Sequence, residues 1–207
     1  RARPLQSGHM EAGLSLSMAR LPGEGARIVV DDAGSEGESS FGLPAPAISF
    51  RLGLDERLDL GLQAAPGGLQ VEGKYSILDD DELMMALAGT LGAWGSGAAA
   101  VADDGFEASA PLVLGFSLPL ATRPLPWLEL NLAPLVTLSQ VFAEREAYLE
   151  VQERSYWTLH SGFRLGLNIA VWRVRINPEL ALVGVYRSDR DEGFLGVYPG
   201  VGAFVVY

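Results

Sequence analysis

The sequence predicts an all-β fold: an antiparallel, up-and-down transmembrane β-barrel of about ten strands, with eight as the alternative count. Three observations predict it. Apolar and polar residues alternate with period two from end to end. The connections alternate between tight and long. Apolar residues make up 48% of the 207, yet no stretch approaches the length a membrane helix needs, which is roughly 18 to 20 continuous apolar residues. Membrane strands need only about 9–11 residues and escape a hydropathy scan for that reason.

The clearest strand covers residues 157–171. Trp157, Leu159, Phe163, Leu165, Leu167, Ile169 and Val171 fall on one face. Thr158, His160, Gly162, Arg164, Gly166, Asn168 and Ala170 fall on the other. A helix would scatter these residues, whereas a strand sorts them. The same pattern places strands at roughly 9–21, 42–54, 56–65, 68–78, 83–94, 106–120, 125–139, 155–171, 173–187 and 194–207. In the seventh, Leu128, Leu130, Leu132, Val136 and Leu138 alternate with Glu129, Asn131, Ala133 and Thr137. In the ninth, Val174, Ile176, Leu180 and Leu182 alternate with Arg173, Arg175, Asn177, Glu179 and Ala181. Eight strands remain the count if the second and third, or the first long loop, are misread.

The even connections are tight: 55–56, 79–82, 121–124 and a turn near Trp172. The odd ones are 22–41, a short one at 66–68, then 95–105, 140–154 and 188–193. An even strand number puts both termini on the tight-turn side.

Alternation alone leaves open which face is outside. A soluble lipocalin-like barrel would bury the apolar face; a membrane barrel would expose it. The polar face is rich in Gly, Ala, Ser and Asn rather than Lys and Glu, which suits a crowded lumen better than a soluble exterior. Trp94, Trp157 and Tyr186 fall at long-loop ends, and Trp127, Trp172 and Tyr207 at tight-turn ends, as two interfacial girdles would. Charges on the polar face also pair in sign. A β-sandwich fits less well than up-and-down closure, given long strands with asymmetric connections.

Several function classes drop out. A net charge of −11 argues against nucleic acid, which calls for a basic patch. Zero cysteines exclude a disulfide framework and a thiolate metal site. No cofactor is implied, since no nucleotide fingerprint is present. His9 and Glu11 share a face, but two residues do not make a metal site, and none is expected.

The chain ends Gly200-Val201-Gly202-Ala203-Phe204-Val205-Val206-Tyr207. This segment resembles the closing strand of small bacterial outer-membrane β-barrel proteins, with Gly202, Val205 and Tyr207 matching and Gly200 standing where a polar residue is common. No subfamily is assigned. The resemblance implies the outer membrane of a Gram-negative bacterium, lipid contact, and recognition of Gly202, Val205 and Tyr207 by the barrel-assembly machinery. It implies one barrel domain over 1–207, with residues 1–8 a periplasmic N-terminal tail and both termini periplasmic. Arg1 does not open an apolar leader, so a processed chain is expected.

The lumen face carries the main candidate constellation: Glu11, Arg51, Arg57, Asp59, Glu72, Lys74, Glu129, Arg164, Arg173, Arg175 and Glu179. Acids and bases are nearly balanced, as buried charge requires. The reading favoured is a charge-paired, filled lumen in a structural or partner-binding scaffold, with a protein partner docking through the loops. The runner-up is a porin-like narrow path for small solutes. A lipid-modifying enzyme comes third, and an enzyme is the less favoured class. Its only candidate is His160, with Ser155, Thr158 and Glu153 close by in sequence; such a set needs mutual hydrogen-bond reach. The acidic loops, among them Asp31, Asp32, Asp103, Asp104, Glu144, Glu146, Asp189 and Asp191, read as solvated, or as docking a basic partner or divalent cations.

Overall fold

The computed structural model describes residues 5–18, 44–65, 68–80, 82–94, 101–102, 106–147, 150–189 and 192–207. The elements in chain order are β1 (Met10–Met18), β2 (Pro44–Gly53), β3 (Leu58–Ala65), β4 (Gly68–Asp79), β5 (Met84–Trp94), β6 (Val101–Ala102), β7 (Phe106–Ser117), β8 (Leu120–Leu125), β9 (Leu128–Ala147), β10 (Glu150–Val171), β11 (Val174–Arg187) and β12 (Glu192–Val206). β7 and β8 both lie between β5 and β9 and form one stave, while β6 is a short piece along β7. Every pairing is antiparallel, and β12 pairs with β1 from Glu11↔Val206 to Ser17↔Gly200. The sheet is therefore a closed barrel of ten staves, as the alternation predicts, and not of eight.

Period two decides what goes where. Along β10 the inward residues are Tyr156, Thr158, His160, Gly162, Arg164 and Asn168, and the outward ones are Trp157, Leu159, Phe163, Leu165 and Leu167. The inside is small, polar or charged; the outside is large and apolar. The apolar residues that do face inward form local clusters. Ala181, Val183, Val185 and Tyr198 pack with Leu135, and Met84 packs with Ala121.

The tight turns are built by local chemistry. Asp55 Oδ1 accepts from the backbone N–H of Arg57 and of Leu58, each at 2.7 Å, an Asx turn that reverses β2 into β3. Trp172 takes φ 57° between β10 and β11, a conformation that disfavours a side chain of this size. Both described chain ends lie at the tight-turn end, where Tyr207 and Met10 exchange backbone hydrogen bonds.

Two connections differ from the sequence reading. Residues 121–124 are not a turn: β8 runs to Leu125 and the reversal comes at Pro126-Trp127. Pro124 falls in a register irregularity between Thr122 and Leu125, where its missing N–H costs no ladder bond. Residues 140–154 are mostly strand, since β9 and β10 stay paired out to Ala147↔Glu150. Of the expected tail at 1–8, residues 5–8 are described and lie against the barrel end. Leu5 is buried, Gly8 N donates to Gly53 O at 2.9 Å, and His9 N donates to Gln6 O at 3.0 Å. The expected loop at 22–41 lies outside the described residues, as do Pro66-Gly67 and most of 95–105.

Glycines mark close approaches. A Cβ on Gly162 would collide with the Leu182 carbonyl oxygen across the β10–β11 seam. Gly162→Val is expected to destabilise the barrel by about 1–3 kcal/mol through forced overpacking. Gly89→Ala, whose new Cβ would meet nothing within 4 Å, is the control. Urea midpoints of the refolded variants measure the difference; equal midpoints would contradict the seam contact.

Candidate functional site

The densest charge lies inside β2, β3 and β4 near the tight-turn end. Asp59 and Lys74 are direct cross-strand partners, as are Arg51 and Gly61, and Gly61 and Glu72. Gly61 leaves the space through which Arg51 spans β3. One guanidinium nitrogen meets Asp59 Oδ1 at 2.7 Å and the other meets Glu72 Oε1. Lys74 Nζ lies 3.0 Å from Asp59 Oδ2, and the Leu5 N–H donates to the same oxygen at 3.2 Å. Asp59 and the chain's single lysine are almost fully buried, at 0% and 1% exposure. Charges this deep are tolerable only when paired and hydrogen-bonded, and here each carboxylate oxygen of Asp59 has a partner.

Three looser ion pairs occupy the rest of the ring: Arg164–Glu179 at 3.6 Å, Arg175–Glu11 at 3.9 Å and Arg123–Glu129 at 4.0 Å. Asn168 Nδ2 also lies 3.5 Å from Glu129 Oε2. At the opposite end Arg187 points inward, stacks 4.4 Å over the Tyr156 ring, and holds Asp189 through two hydrogen bonds of 3.1 and 2.9 Å.

The sequence-derived lumen set therefore divides. Glu11, Arg51, Asp59, Glu72, Lys74, Glu129, Arg164, Arg175 and Glu179 face the lumen. Arg57 and Arg173 do not. Arg57 is exposed in the 54–57 turn, and Arg173 is exposed beside Trp172, 5.4 Å over its ring. Strand parity alone would put both inward, but each lies in a turn, where parity ends. Arg123 and Arg187 were missed. Arg123 fell in a stretch read as a turn, and Arg187 is where the odd-numbered parity of β11 was not followed to its end.

The histidine constellation is not assembled. His160 and Thr158 face inward, but Glu153 and Ser155 have the opposite parity and are exposed. Glu153 is also seven residues up the strand, about 23 Å from His160 at 3.3 Å per residue. His160 Nε2 is buried with no protein partner. Among the described residues, no group of three or more His, Cys, Asp or Glu could hold a metal ion.

Of the girdle residues, Trp127, Trp172 and Tyr207 lie at the tight-turn end with half or more of their surface exposed. Trp157 and Tyr186 lie toward the other end, where Trp157 N donates to Ser188 Oγ at 2.9 Å. The Trp94 side chain lies outside the described residues. In the closing strand the Phe204 ring faces inward over Gly202 and Gly13, where a Cβ on either glycine would strike it.

Asp59 is the hub of the ionic cluster. Asp59→Ala is expected to cost about 3–5 kcal/mol, the range for breaking a buried pair from one side. Asp59→Asn should cost less, because its amide oxygen still accepts from Leu5 N. Equilibrium unfolding in urea orders the three proteins, and an Asp59→Ala variant as stable as the parent would contradict the hub.

No family model matches the chain, and no curated protein matches it. Solved structures overlay on it, among them two outer-membrane proteins. The attachment invasion locus protein Ail of Yersinia pestis does so at 9% identity and a TM-score of 0.41, covering 98% of this chain and 100% of that one. The N-terminal β-barrel domain of Pseudomonas aeruginosa OprF does so at 11% identity and a TM-score of 0.39, with the same coverage. Likenesses this weak say nothing of this chain's role.

Proposed function

We propose that this chain is an integral outer-membrane barrel of a Gram-negative bacterium that serves as a structural or partner-binding scaffold. The observation that carries the membrane reading is the outer face. Staves all round the barrel present large apolar side chains outward, from Leu14, Phe50, Leu62 and Val71 through Leu91, Phe116 and Leu132 to Leu165, Leu180 and Leu195. Soluble monomers rarely expose contiguous apolar patches beyond a few hundred Å². A closed ladder also satisfies its own backbone, which hydrocarbon demands.

The aromatic residues at the two ends fit headgroup-level girdles. The exposed Trp172 at a disfavoured φ fits an interfacial anchor whose contact with lipid offsets its conformational cost. In this orientation the tight turns and both termini are periplasmic, and Gly202, Val205 and Tyr207 serve as the assembly signal. Val205 is the cross-strand partner of Ala12 and Val174, and Tyr207 is 64% exposed.

The scaffold reading rests on the lumen and on one hairpin. The buried Asp59–Lys74 pair and the Leu135–Tyr198 cluster fill the interior with side chains, which disfavours a wide aqueous channel. β9 and β10 are 20 and 22 residues long, about twice what a bilayer crossing needs. β10 reaches eight residues beyond Thr158, the partner of the last residue of β11. The sequence of that hairpin includes Glu144, Glu146, Glu150 and Glu153 with Arg145 and Arg154, a net acidic stretch that suits a protein partner with a basic face.

Membranes washed in alkaline carbonate are expected to retain the protein, and detergent to release it. Planar bilayers should stay silent. Removing residues 143–154 should abolish co-purification of a partner without altering heat-modifiable migration of the barrel. Reproducible conductance steps that change in Glu129→Ala or Arg175→Ala would replace the scaffold with the narrow pore.

A further inference from the structure

Exposure in the β2–β4 sector runs against the geometry of an open mouth. Asp59, the cross-strand partner of Gly53 and Lys74, sits at the rim of the tight-turn end, one residue into β3. Arg51 and Glu72 lie two residues deeper, level with Gly61. The deeper pair keeps 23% and 28% of its side-chain surface, while the rim pair, Asp59 and Lys74, keeps 0% and 1%. Burial at an open mouth should fall toward the rim; here it rises. Elsewhere around the same end Arg123 and Arg175 keep 30% and 26%. The β2–β4 half of the mouth is therefore covered, and the other half is not.

The cover is the segment before β1. Leu5 is 3% exposed, and its N–H donates to the inward-facing Asp59 Oδ2 at 3.2 Å, so the chain here lies on the lumen side of the wall. Residues 6–9 then reverse it. His9 N donates to Gln6 O at 3.0 Å, and Gly8 takes φ 77° as the third residue of that turn, a conformation glycine adopts freely. The turn is pinned to the end of β2: Gly8 N donates to Gly53 O at 2.9 Å, and Ser7 Oγ to Leu54 O at 3.3 Å. Gly53 is fitted to the segment as well. A Cβ there would strike the carbonyl oxygens of Gln6 and Leu5.

This hold is slight beside that of the wall. From Met10 onward β1 is laddered on both edges, to β2 along its whole length and to β12 from Glu11. Residues 5–8 are fastened through the bonds just named, all of them to β2, to the turn after it and to Asp59. A segment held in this way can open locally while the ladder behind it stays closed. Its opening would uncover the Asp59–Lys74 pair, because the deeper Arg51 and Glu72 already have open space beside them.

We propose that residues 5–8 are a releasable lid over the β2–β4 half of the tight-turn mouth, with Asp59 as its latch. Closed, the lid narrows the opening to the half that carries Arg123 and Arg175. Released, it exposes the Asp59–Lys74 pair and widens the way into the lumen from that end. The lid is independent of the scaffold reading, because it needs only the closed barrel.

Lys74 is the chain's single lysine, so its acylation reports the lid. The whole chain, refolded in dodecylphosphocholine micelles, is treated with a water-soluble N-hydroxysuccinimide ester, and the Lys74 peptide is followed by mass spectrometry. Lys74 of the folded wild type should react at least about tenfold more slowly than in the urea-unfolded chain, since a buried group reacts only through local opening. Gly53→Val drives a side chain into the Gln6 and Leu5 carbonyls and should speed the folded-state reaction about tenfold. Leu5→Asp, which sets a second carboxylate beside Asp59, should do the same from the lid side. Gly89→Ala, whose new Cβ meets nothing within 4 Å, should leave the rate unchanged. Heat-modifiable migration establishes that each barrel is folded. Wild-type Lys74 reacting as fast as in the unfolded chain overturns the proposal, and so does an unchanged rate in either folded lid variant. If one lid variant fails to fold, the other decides by the same criteria.

Discussion

Closure of the ladder on itself is the constraint from which the other features follow. Once β12 pairs with β1, no stave can slip its register without disturbing all the others. A one-residue slip would also exchange the two faces. The inward set is therefore fixed as a block, and its polar and charged members must find one another inside a narrow ring. Arg51, Asp59, Glu72 and Lys74 do so through direct cross-strand neighbours, with Gly61 opening the way for the longest side chain. The same logic explains Phe204, a ring turned inward where Gly13 and Gly202 make space for it.

The interior is not uniform. One side is an ion-paired cluster closed off by Leu5, whose backbone N–H completes Asp59. The other carries neutral amides and hydroxyls with looser ion pairs and unpartnered oxygens. The interior thus sets a tightly paired half against a looser one, within a barrel whose outer hairpin is the proposed contact for a partner.

Much of this was legible in the residues, for a physical reason. Period two survives wherever a strand has unlike faces, so ten staves and nine inward charges could be read directly. Legibility failed where local cues competed with the ladder. Pro124 suggested a turn, yet a register irregularity absorbs it and the chain turns only at Pro126-Trp127. The charged run through Glu144, Arg145 and Glu146 reads as a loop because its sequence loses the apolar alternation, yet the backbone ladder continues through it. Arg57 and Arg173 were misplaced because parity stops at a turn. Glu153 and Ser155 looked close to His160 along the chain, but parity puts them on the other face. Leu5 carried no signal at all: its role is a backbone N–H meeting a distant carboxylate.

The central claim is that the apolar face contacts hydrocarbon while its alternate faces a hydrated lumen. The chain has no cysteine, so single cysteines placed in turn at positions 163–168 of β10 report cleanly. Each carries a nitroxide label in lipid vesicles, and its collision rates with oxygen and with a water-soluble nickel chelate are compared. Labels replacing Phe163, Leu165 and Leu167 should favour oxygen, and those replacing Arg164, Gly166 and Asn168 the nickel chelate, with a period of two residues. Nickel preference at the three apolar positions, or no alternation, would contradict the account.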